Sequence, residues 1–173
     1  MAASEMRASR AIAKAARVKQ RVMRLPDLEE ASDIRSSFPG LPPTYIPMRN
    51  AVFYSLAASY AEEVRASVIV GGHNKDDQSI FRDVSPDFFS NLQRALRAGS
   101  KILSQRRTRI VRPLVSKSKP DVIRLAARLQ VPLQLTWSCH SDGATHCWKC
   151  EGCRGRMAAF ERAGIPDPLV KHP

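Results

Sequence analysis

Cysteine is the residue type in this chain whose number and spacing point most directly to joint chemistry. There are four, Cys139, Cys147, Cys150 and Cys153, in the pattern C-x7-C-x2-C-x2-C, and none elsewhere. Thiolates gather around a soft divalent metal, in an iron–sulfur centre, or as disulfides. Four sulfurs close tetrahedrally around zinc, and two-residue gaps let neighbouring ligands turn onto one ion. A structural zinc site, one per chain, is therefore the expectation. An iron–sulfur cluster is a rival, since C-x2-C-x2-C also occurs in ferredoxin-type sites. Disulfides are the bland alternative, although this run is cramped for two of them. His140 and His146 lie inside the loop as substitutes for a sulfur, but four cysteines suffice.

A second chemical stretch follows residues 66–70, a short β-branched run read as a buried strand. It is Gly71-Gly72-His73-Asn74-Lys75-Asp76-Asp77. A strand, then glycines, then polar and acidic residues is the layout of a site at the carboxyl end of a parallel strand. Paired glycines let backbone approach a ligand closely, and Asp76 and Asp77 suit magnesium, which takes carboxylates together with substrate phosphates. A Gly-rich turn with exposed acids fits the same letters. Arg49 and Asn50 open the clearest helix of the chain, where free N–H groups and the positive dipole end attract an anion. A plain N-cap role for Asn50 competes with that reading.

The elements that position these groups alternate between helix and strand. Residues 5–20 have helix-forming content, and residues 21–25 read as a short strand ended by Pro26-Asp27. That order continues a βαβ unit whose first strand is missing. Residues 36–48 are a proline-rich loop. The helix from Arg49 carries Phe53, Leu56, Ala57, Tyr60, Ala61 and Val64 as its expected core stripe. Residues 87–98 form a helix with Phe88, Phe89, Leu92 and Leu96 inward, ended by Gly99 as a C-cap. Residues 110–114 are a strand. Ser118 and Asp121 form a capping-box pair with Pro120 in the first turn, and the helix they open turns Val122, Leu125, Ala126 and Leu129 inward. Residues 131–136 lead into the cysteine loop. Residues 154–163 are a helix with Met157 and Phe160 inward, stopped by Gly164 and Pro166. The fold class is α/β with a mainly parallel sheet.

The chain of 173 residues is one domain's worth. No apolar run reaches membrane-spanning length. The charged start lacks a secretory h-region, and clustered cysteines without one place the protein in the cytoplasm. The net charge of +12 favours an anionic partner (nucleotide, nucleic acid or acidic subunit), with solubility alone as the alternative. Between Arg94 and Arg124 there are ten basic residues and one acidic residue, Asp121. Few aromatics interleave them to stack bases and no RNA-binding signature accompanies them, so a basic RNA-associated protein is the lesser reading, resting on charge alone, and direct tRNA binding is not expected.

Taken in order, these motifs resemble a known family. Residues 45–168 are similar to the 7-cyano-7-deazaguanine synthases (QueC family, PP-loop ATP pyrophosphatase-like superfamily), most closely in their archaeal form. The likeness runs through Tyr45-Ile46-Pro47-Met48-Arg49-Asn50, Ser55-Leu56-Ala57-Ala58, residues 71–77, and Pro113-Leu114 with Ser118-Lys119. It continues in Val131-Pro132-Leu133, Thr136-Trp137-Ser138-Cys139, the other three cysteines, and residues 163–169. The resemblance implies a Rossmann-like (adenine nucleotide alpha hydrolase-like) parallel sheet with helices on both faces. Residues 1–135 would form a partial ATPase-like domain, and residues 136–173 a zinc-binding segment packed on it. It implies a ligase that converts 7-carboxy-7-deazaguanine, ammonia and ATP with Mg2+ to 7-cyano-7-deazaguanine, for queuosine and archaeosine in tRNA, working as a homodimer. By resemblance Arg49 and Asn50 line the nucleotide and substrate pocket, and Gly71, Gly72, His73, Asn74, Asp76 and Asp77 border ATP and its metal. Lys119 faces an anionic intermediate, beside the reading of a solvated helix-start lysine. The four cysteines match the family's zinc ligands.

Two departures are visible. Trp148 stands where the family has glycine between the second cysteine and the lysine, which requires an ordinary backbone conformation there. The Ser-Gly-Gly-x-Asp-Ser loop that grips the ATP phosphates is absent from the sequence. By the resemblance, roughly 50 residues, the length of a βαβ unit with its loop, are missing upstream. The expectation is thus a truncated or split form, with a separate chain carrying that loop as a partner. The alternative is a catalytically inactive, zinc-stabilised nucleotide- or subunit-binding module.

Overall fold

Helix ends decide much of this fold. The computed structural model describes residues 3–25, 45–78 and 81–170. The expected stop at Pro26-Asp27 and the loop over residues 36–44 lie outside them. The chain divides into two compact units, Met1–Met23 with Lys117–Pro173, and Arg24–Ser116.

The second unit holds α2 (Arg49–Glu63), β1 (Val68–Val70), α3 (Lys75–Gln78), α4 (Pro86–Gly99), α5 (Lys101–Gln105) and β2 (Arg109–Val111). β1 and β2 pair in parallel, with Ile69 opposite Ile110. The far side of β2 is sealed by α4: Gln93 accepts the Ile110 N–H at 2.7 Å, and Arg97 donates to the Thr108 carbonyl at 2.8 Å. Ser85 caps α4 by accepting the Phe88 N–H at 3.1 Å, with Pro86 in the first turn. The core of this unit joins Tyr54, Ala58, Ala61, Ile69, Val84, Phe89 and Leu103.

Three expectations are corrected here. The buried face of α2 is Asn50, Tyr54, Ala58 and Ala61, whereas Phe53 and Val64 are 47% and 50% exposed. The packing against Phe89 selects the stripe one position later, which periodicity alone did not separate. Gly99 is the last residue of α4 and not a left-handed cap. The helix breaks at Ser100 (φ −135), whose Oγ accepts the Leu103 N–H and so starts α5. Residues 18–25 carry no regular structure, and Val22 and Met23 are each 47% exposed. Strand propensity does not make a strand without burial and a pairing edge.

The first unit holds α1 (Ala3–Ala15), α6 (Lys119–Arg128), a 3₁₀ turn (Leu133–Leu135), the cysteine loop and α7 (Glu151–Ala163). The capping box of Ser118 and Asp121 is present as expected. Arg124 crosses from α6 to the free carbonyls ending α7, donating to Arg162 O at 2.6 Å and Ala163 O at 3.3 Å. Gly164 ends α7 in the left-handed conformation (φ 69). Of the residues expected inward, Phe160 is buried, while Met157 and Leu129 are exposed.

Arg17, Arg65, Arg107 and Gln130 also adopt left-handed φ of 51–57° just past helices. Each is followed by a residue whose N–H reaches back five positions (Val18 to Ala13, Ala66 to Ala61, Thr108 to Leu103, Val131 to Ala126). This is the Schellman closure, made here without glycine. No described helix is long and apolar enough to cross a membrane.

Candidate functional site

The cysteine loop begins at Thr136 and ends in the first turn of α7, so Cys139 reaches the cluster from an extended segment and Cys153 from a helix. The four sulfurs all lie within 4.8 Å of one another. Two pairs, Cys147–Cys153 and Cys139–Cys150, are 3.9 Å apart. A tetrahedron with metal–sulfur bonds of about 2.3 Å has edges of roughly 3.8 Å, so these residues fit one ion. All four are free, with no disulfide among them. His146 is not a ligand, because its Nε2 accepts the Ser138 N–H at 3.1 Å.

Backbone N–H groups turn towards the sulfurs. His140 N–H points to Cys150 Sγ at 3.4 Å, and the N–H groups of Ser141 and Cys147 point to Cys139 Sγ at 3.4 Å. Those of Lys149 and Cys150 reach Cys147 Sγ at 3.4 and 3.3 Å. Such donors favour thiolate over thiol. The N–H groups of His140 and Cys153 bring Cys150 down to about 6, while burial pushes Cys153 up to about 12. A divalent cation in the middle supplies the charge that lets the buried sulfur ionise as well.

The loop is fastened on three sides. At its tip, Asp142 accepts the N–H groups of Ser4 and Ala3 at 2.7 and 2.9 Å, capping α1. The Ser4 backbone and hydroxyl bonds, then that of Ala3, hold the Asp142 carboxyl below the usual carboxylate range. Ser4 Oγ donates to Gly143 O at 2.7 Å, and Arg7 donates to the same carbonyl at 2.6 Å. Inside the loop, His146 lies between two indoles, 4.3 Å from the Trp137 ring and 5.2 Å from that of Trp148.

The condition set on Trp148 is not met: its φ is +58, the left-handed region. The stacking on His146 offsets a backbone cost of about 1–2 kcal/mol. At the base, Arg156 and Asp167 form a buried two-pronged ion pair at 2.6 and 2.8 Å. Arg156 also donates to Thr136 Oγ1 at 2.6 Å and Leu133 O at 3.3 Å, and lies over the Phe160 ring.

Gly152 sits where backbone passes closest. A Cβ there would overlap the Ser138 carbonyl oxygen and crowd the His140 ring. Gly152→Ala is expected to cost about 1–3 kcal/mol, read as a fall in the thermal midpoint of the metal-loaded protein with metal content lowered in parallel.

In the second unit, the parallel strands deliver Gly71 and Arg112 to the same end, where the Gly71 N–H bonds the Val111 carbonyl at 2.9 Å. Tyr54, His73 and Phe89 gather there, with the Tyr54 and Phe89 rings edge-on at 4.8 Å and His73 at 5.4 Å from Phe89. Burial, then the nearby Arg112 charge, lowers the pKa of His73, against the raising effects of Asp77 and Asp83.

Asn74 and Asp77 cap α3: Asn74 Oδ1 accepts the Asp76 N–H at 2.8 Å, and Asp77 Oδ2 accepts the Asn74 N–H at 3.0 Å. Asn50 is the second residue of α2 and not its cap, since Met48 (φ 49) holds that position. The Asn50 N–H donates to Asp83 Oδ2 at 3.2 Å, so an internal carboxylate already meets the helix mouth. Arg49 lies 5.8 Å from the Phe81 ring centroid, and Lys119 is the first residue of α6.

Sequence reasoning brought out the cysteines and the strand-end glycines. It missed Arg156, Asp142, Tyr54 and Arg112, which become informative only through partners distant in the chain.

The sequence model of the family described as "Queuosine biosynthesis protein QueC" matches residues 2–164. A 7-cyano-7-deazaguanine synthase of Nautilia profundicola is 41% identical over 131 residues, 76% of this chain and 58% of the relative. One from Thermosynechococcus vestitus is 40% identical over 83% of this chain and 62% of its own. One from Thermoplasma volcanium is 34% identical over 95% of this chain and 73% of the relative. The chain thus spans 58–62% of the first two relatives it matches.

Proposed function

The chain belongs to the QueC family, and on that footing we propose that it serves the ATP-dependent conversion of 7-carboxy-7-deazaguanine and ammonia to 7-cyano-7-deazaguanine, the base that feeds queuosine and archaeosine. The match over residues 2–164 carries this reading. Parallel strands that present a Gly-Gly turn and basic side chains at one end support it, because a carboxylate becomes an electrophile only after ATP supplies a phosphate-type leaving group. That step needs positive charge beside the phosphates.

We assign Arg49 and Asn50 to the wall of the nucleotide and substrate pocket, and Gly71, Gly72 and His73 to the ATP border. Magnesium falls to Asp76 or Asp77, in the turn that Asn74 caps. The four cysteines hold one structural zinc. Zinc there would fix the loop and not the reacting atoms, since four sulfurs would leave a tetrahedral ion no open coordination position. The protein works in the cytoplasm as a homodimer.

The sequence contains no Ser-Gly-Gly-x-Asp-Ser, so the phosphate grip comes from outside these 173 residues. Cells lacking their own 7-cyano-7-deazaguanine synthase test this. Queuosine should return to tRNA when this chain is expressed together with a family segment bearing that loop. Continued absence of queuosine with both pieces expressed and folded would favour the non-catalytic zinc-stabilised module.

A further inference from the structure

Two donors at the ends of the paired strands have no anionic partner among the described residues. Tyr54 is 7% exposed, and no described residue hydrogen-bonds its hydroxyl, which lies over the Gly71 backbone. A Cβ on Gly71 would overlap that oxygen, so the glycine makes room for the phenol. Arg112 is half-buried, with its guanidinium 4.4 Å from the Phe89 ring centroid. One hydrogen bond to it is present among the described residues, from Nη1 to the Val84 carbonyl at 3.2 Å, and no described carboxylate is in ion-pair reach.

A cation taken partly from water without a counter-charge is costly. The Phe89 face and one carbonyl offset only part of that cost. Burial raises the pKa of Tyr54 against the effect of Arg112, and burial lowers that of Arg112. At neutral pH both groups remain donors. The acids that influence neighbouring His73, Asp77 and Asp83, accept the N–H groups of Asn74 and Asn50.

We propose that Tyr54 and Arg112 form an oxyanion-binding pair at the carboxyl ends of β1 and β2, taking a carboxylate or phosphate group. The pair offers a neutral O–H and a charged planar N–H set from two side chains that both pack on Phe89, an arrangement suited to a planar or tetrahedral oxyanion. It rests on the function proposed above only in naming the sources of that group: the carboxylate of 7-carboxy-7-deazaguanine or the phosphates of ATP.

Isothermal titration of the full 173-residue chain with sodium pyrophosphate and, separately, with 7-carboxy-7-deazaguanine tests it. Tyr54→Phe keeps the ring packing and should weaken binding about tenfold, the value of a hydrogen bond to a charged group. Arg112→Gln should weaken it about 100-fold and Arg112→Lys less. Affinity for the responding ligand should fall with salt. Loss confined to pyrophosphate assigns the pair to ATP, and loss confined to the carboxylic acid assigns it to the substrate. If Arg112→Gln melts early, Tyr54→Phe and Arg112→Lys decide, together with the movement of the wild-type Arg112 Nε–H resonance on titration.

The proposal is overturned if wild-type protein binds neither anion, or if both folded variants bind within twofold of it. Absence of nitrile formation alongside an intact Tyr54-dependent anion affinity overturns the preceding functional reading while supporting this site. Nitrile formation with anion affinities unchanged in both variants does the reverse.

Discussion

Stripping the metal with a strong chelator at neutral pH is expected to unfold the cysteine loop and release its grip on α1 and α7. Structural four-ligand sites contribute on the order of 10 kcal/mol to folding, comparable with the whole stability of an ordinary domain. The cluster has no apolar substitute: Cys139 and Cys153 are 1% and 0% exposed and would be left as buried thiols facing one another. Both tryptophans of the chain, Trp137 and Trp148, lie in this loop. They border a cavity of about 810 Å3 with Arg7, Ala11, His146 and Met157. Their fluorescence should therefore shift to the red and lose intensity as metal leaves, and zinc should restore it. Cys153→Ala should reproduce the apo spectrum with metal present. An unchanged spectrum and unchanged helix content after complete metal removal would contradict a folding role for the cluster.

Breaking the Arg156–Asp167 pair is expected to have the next largest effect. Both side chains are nearly inaccessible, at 6% and 5% exposure. Asp167→Ala would leave a guanidinium buried against Phe160 with only Thr136 and Leu133 as acceptors, at a cost of about 3–5 kcal/mol. Arg156→Met combined with Asp167→Leu should recover much of that, because the penalty arises from the orphaned charge. Burial alone would raise the Asp167 carboxyl, but the bonds from Arg156 and the Leu169 N–H overcome it and hold the group below its ordinary range.

The folded pKa is thus lower than the unfolded one. The stabilisation is complete above the unfolded value of about 4 and is lost as pH falls through the folded value. Wild-type protein should lose stability steeply below about pH 4, and Asp167→Asn should flatten that slope. Denaturant midpoints measured from pH 7 to pH 3 for the two proteins check this, and parallel slopes would remove the pair from the acid response.

What could be read from the letters follows from range. The cysteine spacing, the Ser118–Asp121 box and the Gly164 stop are local, and each sits where the sequence put it. The two strands among the described residues overlap the runs expected at 66–70 and 110–114, but the first is only Val68–Val70 with Ile69 alone buried, and the second is shifted to Arg109–Val111. Four helices instead end on Arg17, Arg65, Arg107 or Gln130 in a conformation that favours glycine, so no letter announced the stop. Trp148 is the same case inside the cysteine loop, tolerated because His146 receives its ring. Arg156, Asp142 and Arg112 carried no local sign at all. Their roles come from Asp167, Ser4 and Phe89, which lie 11, 138 and 23 positions away (167 − 156, 142 − 4, 112 − 89).

The most direct test of the functional account is reconstitution with labelled ammonia. The purified 173-residue chain would be incubated with 7-carboxy-7-deazaguanine, Mg·ATP and ¹⁵N-ammonia, alone and with a family segment carrying Ser-Gly-Gly-x-Asp-Ser, and the product read by mass spectrometry. The account predicts ¹⁵N-labelled 7-cyano-7-deazaguanine with both pieces present and none from the chain alone. Labelled nitrile from the chain alone, or none from a folded, metal-loaded mixture, would contradict it.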